Sequence, residues 1–441
     1  LLISIVTFVS MKLKIGIAGC IHGELENLYE AVRYAKNKSG IDLDLVICCG
    51  DFQSIRDEQD LKSLAVPHKY RHMLDFHKYY SGELKAEVLT IFIGGNHESS
   101  SYLSELPYGG WVAPNIFYMG RANVVNFQGL RIAGLSGIYK SYNYLRGYFE
   151  NDLFNADQMR SVYHVRNLEV FRLKQLVQPI DILLTHDWPR GIEHFGNKEE
   201  LFAKKRFLLQ DSQRGELGSL PSYELLAMLK PKYWFAAHMH VKFAALVPHE
   251  NKSFTKFLAL DKCLRGRSFF QIVEIDSPSL DIDNVNCEAK LCYDLEWLTI
   301  LKKTNHLLKI SKEKYYMPTP LSGELYNFAP SEQEMAALRE ALNNDLTVRE
   351  KFCQRSTNEN VSLSINSQTT EFCARFEVSD MVKLLLEKLE TTSSNYSATN
   401  ATSTSSGVAI TSSEDPPFAQ AEVRNMPPLE NPDEICLDDI L

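Results

Sequence analysis

The sequence predicts an α/β fold whose parallel strands carry functional side chains at their carboxyl ends. Two observations predict it. Short apolar runs of strand length alternate with stretches that repeat apolar residues at helical spacing. Five of the runs stop at groups of Gly, Asp, Asn and His. Ligands of open α/β sheets bind outside the carboxyl ends of the strands, so five such groups converge on one place.

Leu13–Gly19 (LKIGIAG) is the first strand. Glu24–Lys38 follows as a helix, with Leu25, Leu28, Val32 and Ala35 on one face. Ser39-Gly40 ends it, because glycine takes the left-handed conformation that closes a helix. Further strands are read at Leu45–Cys49, Val88–Ile93, Arg131–Leu135, Ile180–Thr185 and Tyr233–Ala237. Helices are read at Val170–Val177 and Ser222–Leu229, and later amphipathic stretches at Leu295–Ile310 and Met381–Leu389. No internal repeat is present.

Composition sets the limits. The chain has 441 residues, 44% apolar and 23% charged, enough for a sizeable core. At about 150 residues per domain the length allows two or three domains. Leu1–Ser10 (LLISIVTFVS) is half the ~20 residues needed to cross a bilayer and lacks the basic start and small-residue cleavage site of a signal peptide. It is read as a non-native extension (residues 1–10) ahead of a natural start at Met11. Nine cysteines on a long chain are not a disulfide framework, and Cys287 and Cys292 lack the second pair of a zinc finger. A reducing compartment fits. Residues 391–441 are read as a disordered tail: Thr391–Ser413 holds 14 Ser or Thr in 23 residues, and Glu414–Leu441 carries eight acidic residues and one basic. That acidic stretch accounts for seven of the nine net negative charges, so the body is near neutral. The net charge therefore excludes a broad basic surface but not a local nucleic-acid site.

The strand ends hold the chemistry. The first stops at Gly19-Cys20-Ile21-His22-Gly23, the second at Gly50-Asp51, and the third at Gly94-Gly95-Asn96-His97-Glu98. Two later strands stop at Thr185-His186 and His238-Met239-His240. His and Asp are ligands for first-row divalent cations, and a carboxylate has two oxygens with which to bridge two ions. In an extended His238-Met239-His240 the two imidazoles would point to the same face. A lone histidine at a strand end is usually a core residue, but the whole ordered set is not explained by packing. His68, His72 and His77 follow no strand and are read as surface or packing residues, and Cys48 and Cys49 as buried strand residues.

The order of these motifs resembles the calcineurin-like metallophosphoesterases. Two positions depart from that pattern. Cys20 stands where the superfamily has its first Asp, and Ala237 where a Gly precedes H-x-H. The run CIHGELENLYE, with GDFQSIR at Gly50–Arg56, THDWPRGI at Thr185–Ile192 and YWFAAHMHVKF at Tyr233–Phe243, is similar to the RNA lariat debranching enzyme family. YDLEWLTILKKTNHLL at Tyr293–Leu308 resembles that family's C-terminal domain. The resemblance covers about Met11 to Glu390. It implies a metallophosphoesterase αββα sandwich over 11–250, an inserted lariat-recognition segment at 136–166, and a mostly helical C-terminal domain at 251–390.

The implied activity is metal-dependent hydrolysis of the 2′–5′ phosphodiester at the branch point of excised intron lariats, in the nucleus. One ion would sit on Cys20, His22, Asp51 and His240, and the other on Asp51, Asn96, His186 and His238. A soft thiolate favours Fe(II) or Zn(II) over Mg(II), with Mn(II) able to support activity. His97 is expected as the acid that protonates the departing 2′ oxygen, and Glu98 as the orienter of a neighbouring His. The segment Tyr139–Arg166 has seven aromatics in 28 residues against 11% for the chain, with cations interleaved, a combination suited to unpaired RNA. Tyr139, Lys140, Tyr142, Tyr144, Arg146, Tyr148, Arg160 and Arg166 are its candidate RNA contacts, together with Lys242. The tail is a candidate for recruiting spliceosome-associated proteins. The competing readings are a metallophosphoesterase for another phosphate ester and a non-catalytic interaction protein on the same fold.

Overall fold

The computed structural model describes residues 11–277, 290–352, 354 and 363–389. The extension at 1–10 and the tail at 391–441 lie outside the described residues. Thirteen strands are present among the described residues: β1 (Met11–Ala18), β2 (Leu45–Cys48), β3 (Thr90–Phe92), β4 (Gly110–Ala113), β5 (Ile116–Tyr118), β6 (Ala122–Phe127), β7 (Leu130–Leu135), β8 (Ile182–Thr185), β9 (Tyr233–Ala236), β10 (Phe243–Pro248), β11 (Phe254–Ala259), β12 (Phe270–Ser277) and β13 (Leu291–Tyr293).

They form two mixed sheets. The first runs β12-β1-β2-β3-β5-β4 and the second β10-β11-β9-β8-β7-β6-β13. Strands β1, β2, β3 and β5 are parallel, as are β7, β8, β9 and β11. Side-chain parity stacks the sheets face to face. Leu13, Ile15, Ile17, Leu45 and Ile47 meet Ile132, Ile182, Leu184 and Phe235 in one buried core. The opposite parity faces helices. Val46 and Cys48 pack with Leu25, Leu28 and Val32 of the helix Leu25–Ser39. Leu183, Trp234 and Ala236 pack with Leu225 and Leu226 of the helix Leu220–Leu229. The architecture is the expected αββα sandwich. Central strands buried on both faces are why β2, β8, β9 and the Ile15–Ala18 half of β1 read as unbroken apolar runs.

Several expectations shift. The helix read at Val170–Val177 spans Asn167–Leu173. The stretch read at Leu295–Ile310 is helical only over Leu295–Lys303, capped by Asp294, whose side chain accepts from the Trp297 N–H. The Thr304 hydroxyl donates back to the Ile300 carbonyl, and a single 3₁₀ turn, Asn305–Leu307, follows. The helix at Leu25–Ser39 ends as expected on a left-handed Gly40 (φ 63°). The C-terminal region, expected as mostly helical, also supplies strands: β11, β12 and β13 complete the two sheets, and β11 pairs with β10 as a hairpin. Helices at Leu295–Lys303, Glu332–Ala341, Ser367–Phe376 and 381–389 supply the helical part, the last as expected. No helix among the described residues is long and apolar enough to cross a membrane.

Candidate metal centre

The carboxyl ends of β1, β2, β3, β8 and β9 bring their motifs to one centre, with Asp51 in its middle. Asp51 Oδ2 lies 3.7 Å from His22 Nε2 and 3.7 Å from His97 Nδ1. Asp51 Oδ1 lies 3.3 Å from His186 Nε2. The two carboxylate oxygens thus face two different groups of side chains. On one side, ligand atoms of Cys20, His22, Asp51 and His240 all lie within 4.8 Å of one another. His22 Nε2 and His240 Nε2 approach to 3.0 Å. On the other side, the His186 and His238 rings are 4.9 Å apart.

Close approach demands glycine at two points. A Cβ on Gly95 would strike Asp51 Oδ1 and His186 Nε2, and one on Gly50 would strike the His186 ring. The turns are strained as well. His22, Asp51, His238 and His240 all have positive φ (50°, 47°, 65° and 47°), a region that non-glycine residues seldom occupy and that clusters at functional sites. This corrects the reading of His238-Met239-His240 as extended. The segment bends through two left-handed residues, and its imidazoles go to opposite sides of Asp51, His238 to His186 and His240 to His22. The Trp188 indole N–H donates to the Ala237 carbonyl at 2.7 Å and ties this turn to the end of β8.

The protonation states suit metal ligands. Burial pushes His22 and His238 down to about 3 and His240 well below its ordinary value, so all three imidazoles are neutral. Burial opposes ionisation of Asp51, but His186 and His97 outweigh it and hold the carboxyl well below its usual range. Burial, then Asp51, pushes the Cys20 thiol up. A bound cation reverses that preference, since a coordinating thiol is deprotonated outright. Buried atoms without hydrogen-bond partners point the same way. Asn96 Oδ1 and His240 Nδ1 are orphaned, His186 Nε2 faces Asp51 Oδ1 at 3.3 Å, and His186 Nδ1 pairs with the Cys49 carbonyl at 2.7 Å. Fixing Nδ1 on a carbonyl leaves Nε2 as the electron-pair donor, the usual arrangement of a metal-bound histidine. The donor set therefore fits divalent cations.

Glu98 has a different task from the one expected. It does not orient a histidine. Its carboxylate accepts the backbone N–H groups of Phe52, Gln53 and Gly95 at 2.8–2.9 Å and so clamps the loops after β2 and β3 together. Gln53 was not singled out from the sequence, yet its side-chain amide lies 3.2 Å from His22 Nδ1. Its place in GDFQSIR, two residues past Asp51, was the available signal.

The aromatic segment divides. It is tied to the centre, because the Tyr139 N–H donates to Asp187 Oδ2, next to His186, at 3.1 Å. Tyr142 is 57% exposed and Arg160 is exposed. Tyr139 and Tyr144 are half-buried and meet edge to face, and Lys140 and Arg146 are also half-buried. Tyr148 and Arg166 correct the expectation. Both are buried, with Arg166 paired to Glu150 and Tyr148 packed under Arg121, so they hold the segment together rather than face a ligand. Lys242 is exposed but engaged with Gln271 Oε1 at 2.9 Å. His68 and His72 are exposed, as expected.

Two layered sheets with polar strand ends around a central Asp define the class. Residues 13–242 match the calcineurin-like phosphoesterase model, whose members carry divalent metal ions, and residues 252–381 match the model described as lariat debranching enzyme, C-terminal domain. The chain belongs to the lariat debranching enzyme family. It is 46% identical to lariat debranching enzyme A of Xenopus laevis, over 97% of this chain and 81% of that protein. It is 48% identical to the Homo sapiens lariat debranching enzyme, over 86% of this chain and 72% of that protein. Against the Danio rerio lariat debranching enzyme the identity is 49%, over 84% of this chain and 66% of the relative's length.

Proposed function

We propose that this chain hydrolyses the 2′–5′ phosphodiester at the branch point of intron lariats, using two divalent ions. The observation that carries the reading is the division of donors around Asp51. Cys20, His22 and His240 lie on one side with His186 and His238 on the other, and Asn96 adds an orphaned buried oxygen. Cys20, His22, Asp51 and His240 would hold one ion, and Asp51, Asn96, His186 and His238 the other. Divalent ions bound by these residues supply Lewis-acid stabilisation of a phosphate and activation of water. The thiolate favours Fe(II) or Zn(II), and Mn(II) supports activity.

The chain's own groups do the rest. His97 protonates the departing 2′ oxygen, which is a poor leaving group as an alkoxide. Gln53 fixes the His22 ring, and Glu98 keeps the loops bearing Asp51 and Asn96 in register. The exposed face of Tyr142 offers a stacking surface for an unpaired base, with Arg160 free to meet phosphate. Tyr139, Lys140, Tyr144 and Arg146, half-buried in the same segment, are further candidate RNA contacts. Nuclear residence follows from the substrate, and the acidic tail at 391–441 is a candidate contact for spliceosome-associated proteins.

The test offers the purified chain a synthetic 2′–5′ branched RNA and a generic phosphomonoester, with metals varied. Cleavage at the branch with release of the 2′ arm is expected. A preference for the monoester would replace this reading with that of a general phosphatase.

A further inference from the structure

Beside the ligand set of Cys20, His22 and His240 lies a group of cations that has no part in holding metal. Residues 260–267 turn back against the end of β1. The Cys263 N–H donates to the Cys20 carbonyl at 2.8 Å, and the Arg267 guanidinium donates to the His240 carbonyl at 3.3 Å. This turn carries Lys262 and Arg267, and Lys205 reaches the same place from the end of the helix Lys198–Lys204. Arg267 is paired with Asp261 at 2.9 Å.

Lys262 is different. It is only 4% exposed, its ammonium keeps contact with water, and among the described residues that ammonium has neither a hydrogen bond nor an ion pair. Among the described residues Lys205 has neither as well, and its ammonium lies 5.9 Å from the centre of the Phe207 ring. Three cations thus share one carboxylate. Lys262 interacts electrostatically with Cys20, His22 and His240, which places its charge on this side of the centre. Burial, then Arg267, pushes its pKa down. An ammonium on a largely buried stem, with no carboxylate of its own, can accept an anion from the open side without first breaking an ion pair.

We propose that Lys262, with Lys205 and Arg267, forms a second phosphate site that holds a backbone phosphate of the RNA next to the scissile one. The inference rests on the debranching reading. A branch nucleotide carries phosphate on its 2′, 3′ and 5′ oxygens, so a branched polynucleotide brings a further phosphate beside the bond that breaks. A phosphomonoester brings none and leaves Lys262 without an anion. Specificity then comes partly from a contact that the wrong substrate cannot make. Neither lysine stands out in the sequence, because each lies in a charged turn that reads as solvated surface.

The test uses the full-length, metal-loaded chain, as wild type, Lys262→Met and Lys262→Arg. The substrates are branched RNA with either a normal phosphate or an uncharged methylphosphonate at the 3′ linkage of the branch nucleotide. Lys262→Met is expected to raise KM by about tenfold or more, the scale of one lost charge-assisted contact. The methylphosphonate raises KM of the wild type similarly but adds little to Lys262→Met, since both changes remove the same contact. Lys262→Arg restores most of the affinity. Lys262→Met leaves Tm unchanged or higher, because an apolar chain of similar length replaces an unpaired charge. Lys38→Met, on an exposed helix end, serves as the charge control and changes none of these readouts.

Multiplying KM effects, or a Tm lowered by Lys262→Met, would overturn the site. So would Lys262-dependent inhibition by inorganic phosphate together with indifference to the methylphosphonate, which would make it a site for free phosphate. Failure of the wild type to cleave branched RNA with any metal would overturn the debranching reading, and this inference with it.

Discussion

The backbone N–H of His97 donates to Asp51 Oδ1 at 2.8 Å, while the imidazole Nδ1 of the same residue stands 3.7 Å from Asp51 Oδ2. The main chain of His97 is therefore fixed to the central carboxylate, and its ring, about one-quarter exposed, stays at the open side of the centre. A residue held by its backbone can lose its side chain without releasing the loop. His97→Ala should lower kcat on branched RNA about 10²–10³-fold, the usual worth of a positioned acid. KM and bound-metal content should stay near wild type. A substrate with an aryl leaving oxygen, which needs no proton, should lose much less. Equal losses on both substrates, or loss of metal, would assign His97 to holding the centre instead.

Cys20 is the position at which this centre departs from the superfamily's carboxylate. Its Sγ accepts the His238 N–H at 3.2 Å, so the sulfur touches the turn that carries both His238 and His240. Cys20→Asp replaces a soft donor with a hard one of similar reach. The variant should fold, and its activity should move toward Mg(II) and Mn(II) and away from Zn(II) and Fe(II). Metal content after growth in defined media and activity profiles across the four ions check this. Identical profiles for the two proteins would mean that Cys20 does not coordinate.

How much of this was legible follows from what each residue owes to local sequence and what it owes to packing. β2, β8, β9 and the Ile15–Ala18 half of β1 were legible because both faces are buried and the runs are unbroken. β13 was not, since Leu291–Tyr293 is a strand only because it pairs with β6. β6 itself is interrupted by Asn123 and Asn126, and it turns into β7 through a left-handed Gln128-Gly129 pair without the usual Asn-Gly signature. The candidate ligands were legible because metal chemistry restricts residue type and strand ends restrict place. The cations were not. Arg160 and Arg166 look alike in sequence, and only tertiary packing leaves one exposed and puts the other against Glu150.

Arg56 closes the GDFQSIR run and is buried where the loop after β2 meets the C-terminal stretch. Its guanidinium bonds Asp60 and Glu105 at 2.9–3.2 Å and lies 3.9 Å over the Tyr102 ring. Glu105 also accepts from the Ser364 hydroxyl and the Asn366 amide, so the network reaches residues more than 250 positions away. Arg56→Met strands two buried carboxylates and should cost about 3–5 kcal/mol of stability. Adding Glu105→Gln should recover part of the loss, because one of the stranded charges disappears. Chemical denaturation of the single and double variants checks this, and strictly additive losses would show that the two side chains do not form one unit.

His164 gives the fold a pH dependence outside the metal centre. It is buried in the aromatic segment, with the Tyr142 and Tyr163 rings edge-on to it and Nδ1 2.8 Å from the Asn143 amide nitrogen. Burial, then the charges of Arg166 and Lys140, pushes it from 6.5 down to about 3. The unfolded chain therefore binds a proton below pH 6.5 that the folded chain refuses until about pH 3. Stability from this residue is fully present above the unfolded value and falls across that window as the pH drops, by about 1.4 kcal/mol per pH unit for one proton. His22, His238 and His240 are shifted in the same direction and add to the acid sensitivity of the metal-free protein. His164→Gln keeps a polar partner for Asn143 but cannot titrate. Its unfolding free energy should fall less steeply between pH 6.5 and pH 5 than that of the wild type, and the difference in slope should correspond to one proton. Parallel curves would mean that His164 is protonated in the folded state and that its segment is open to water.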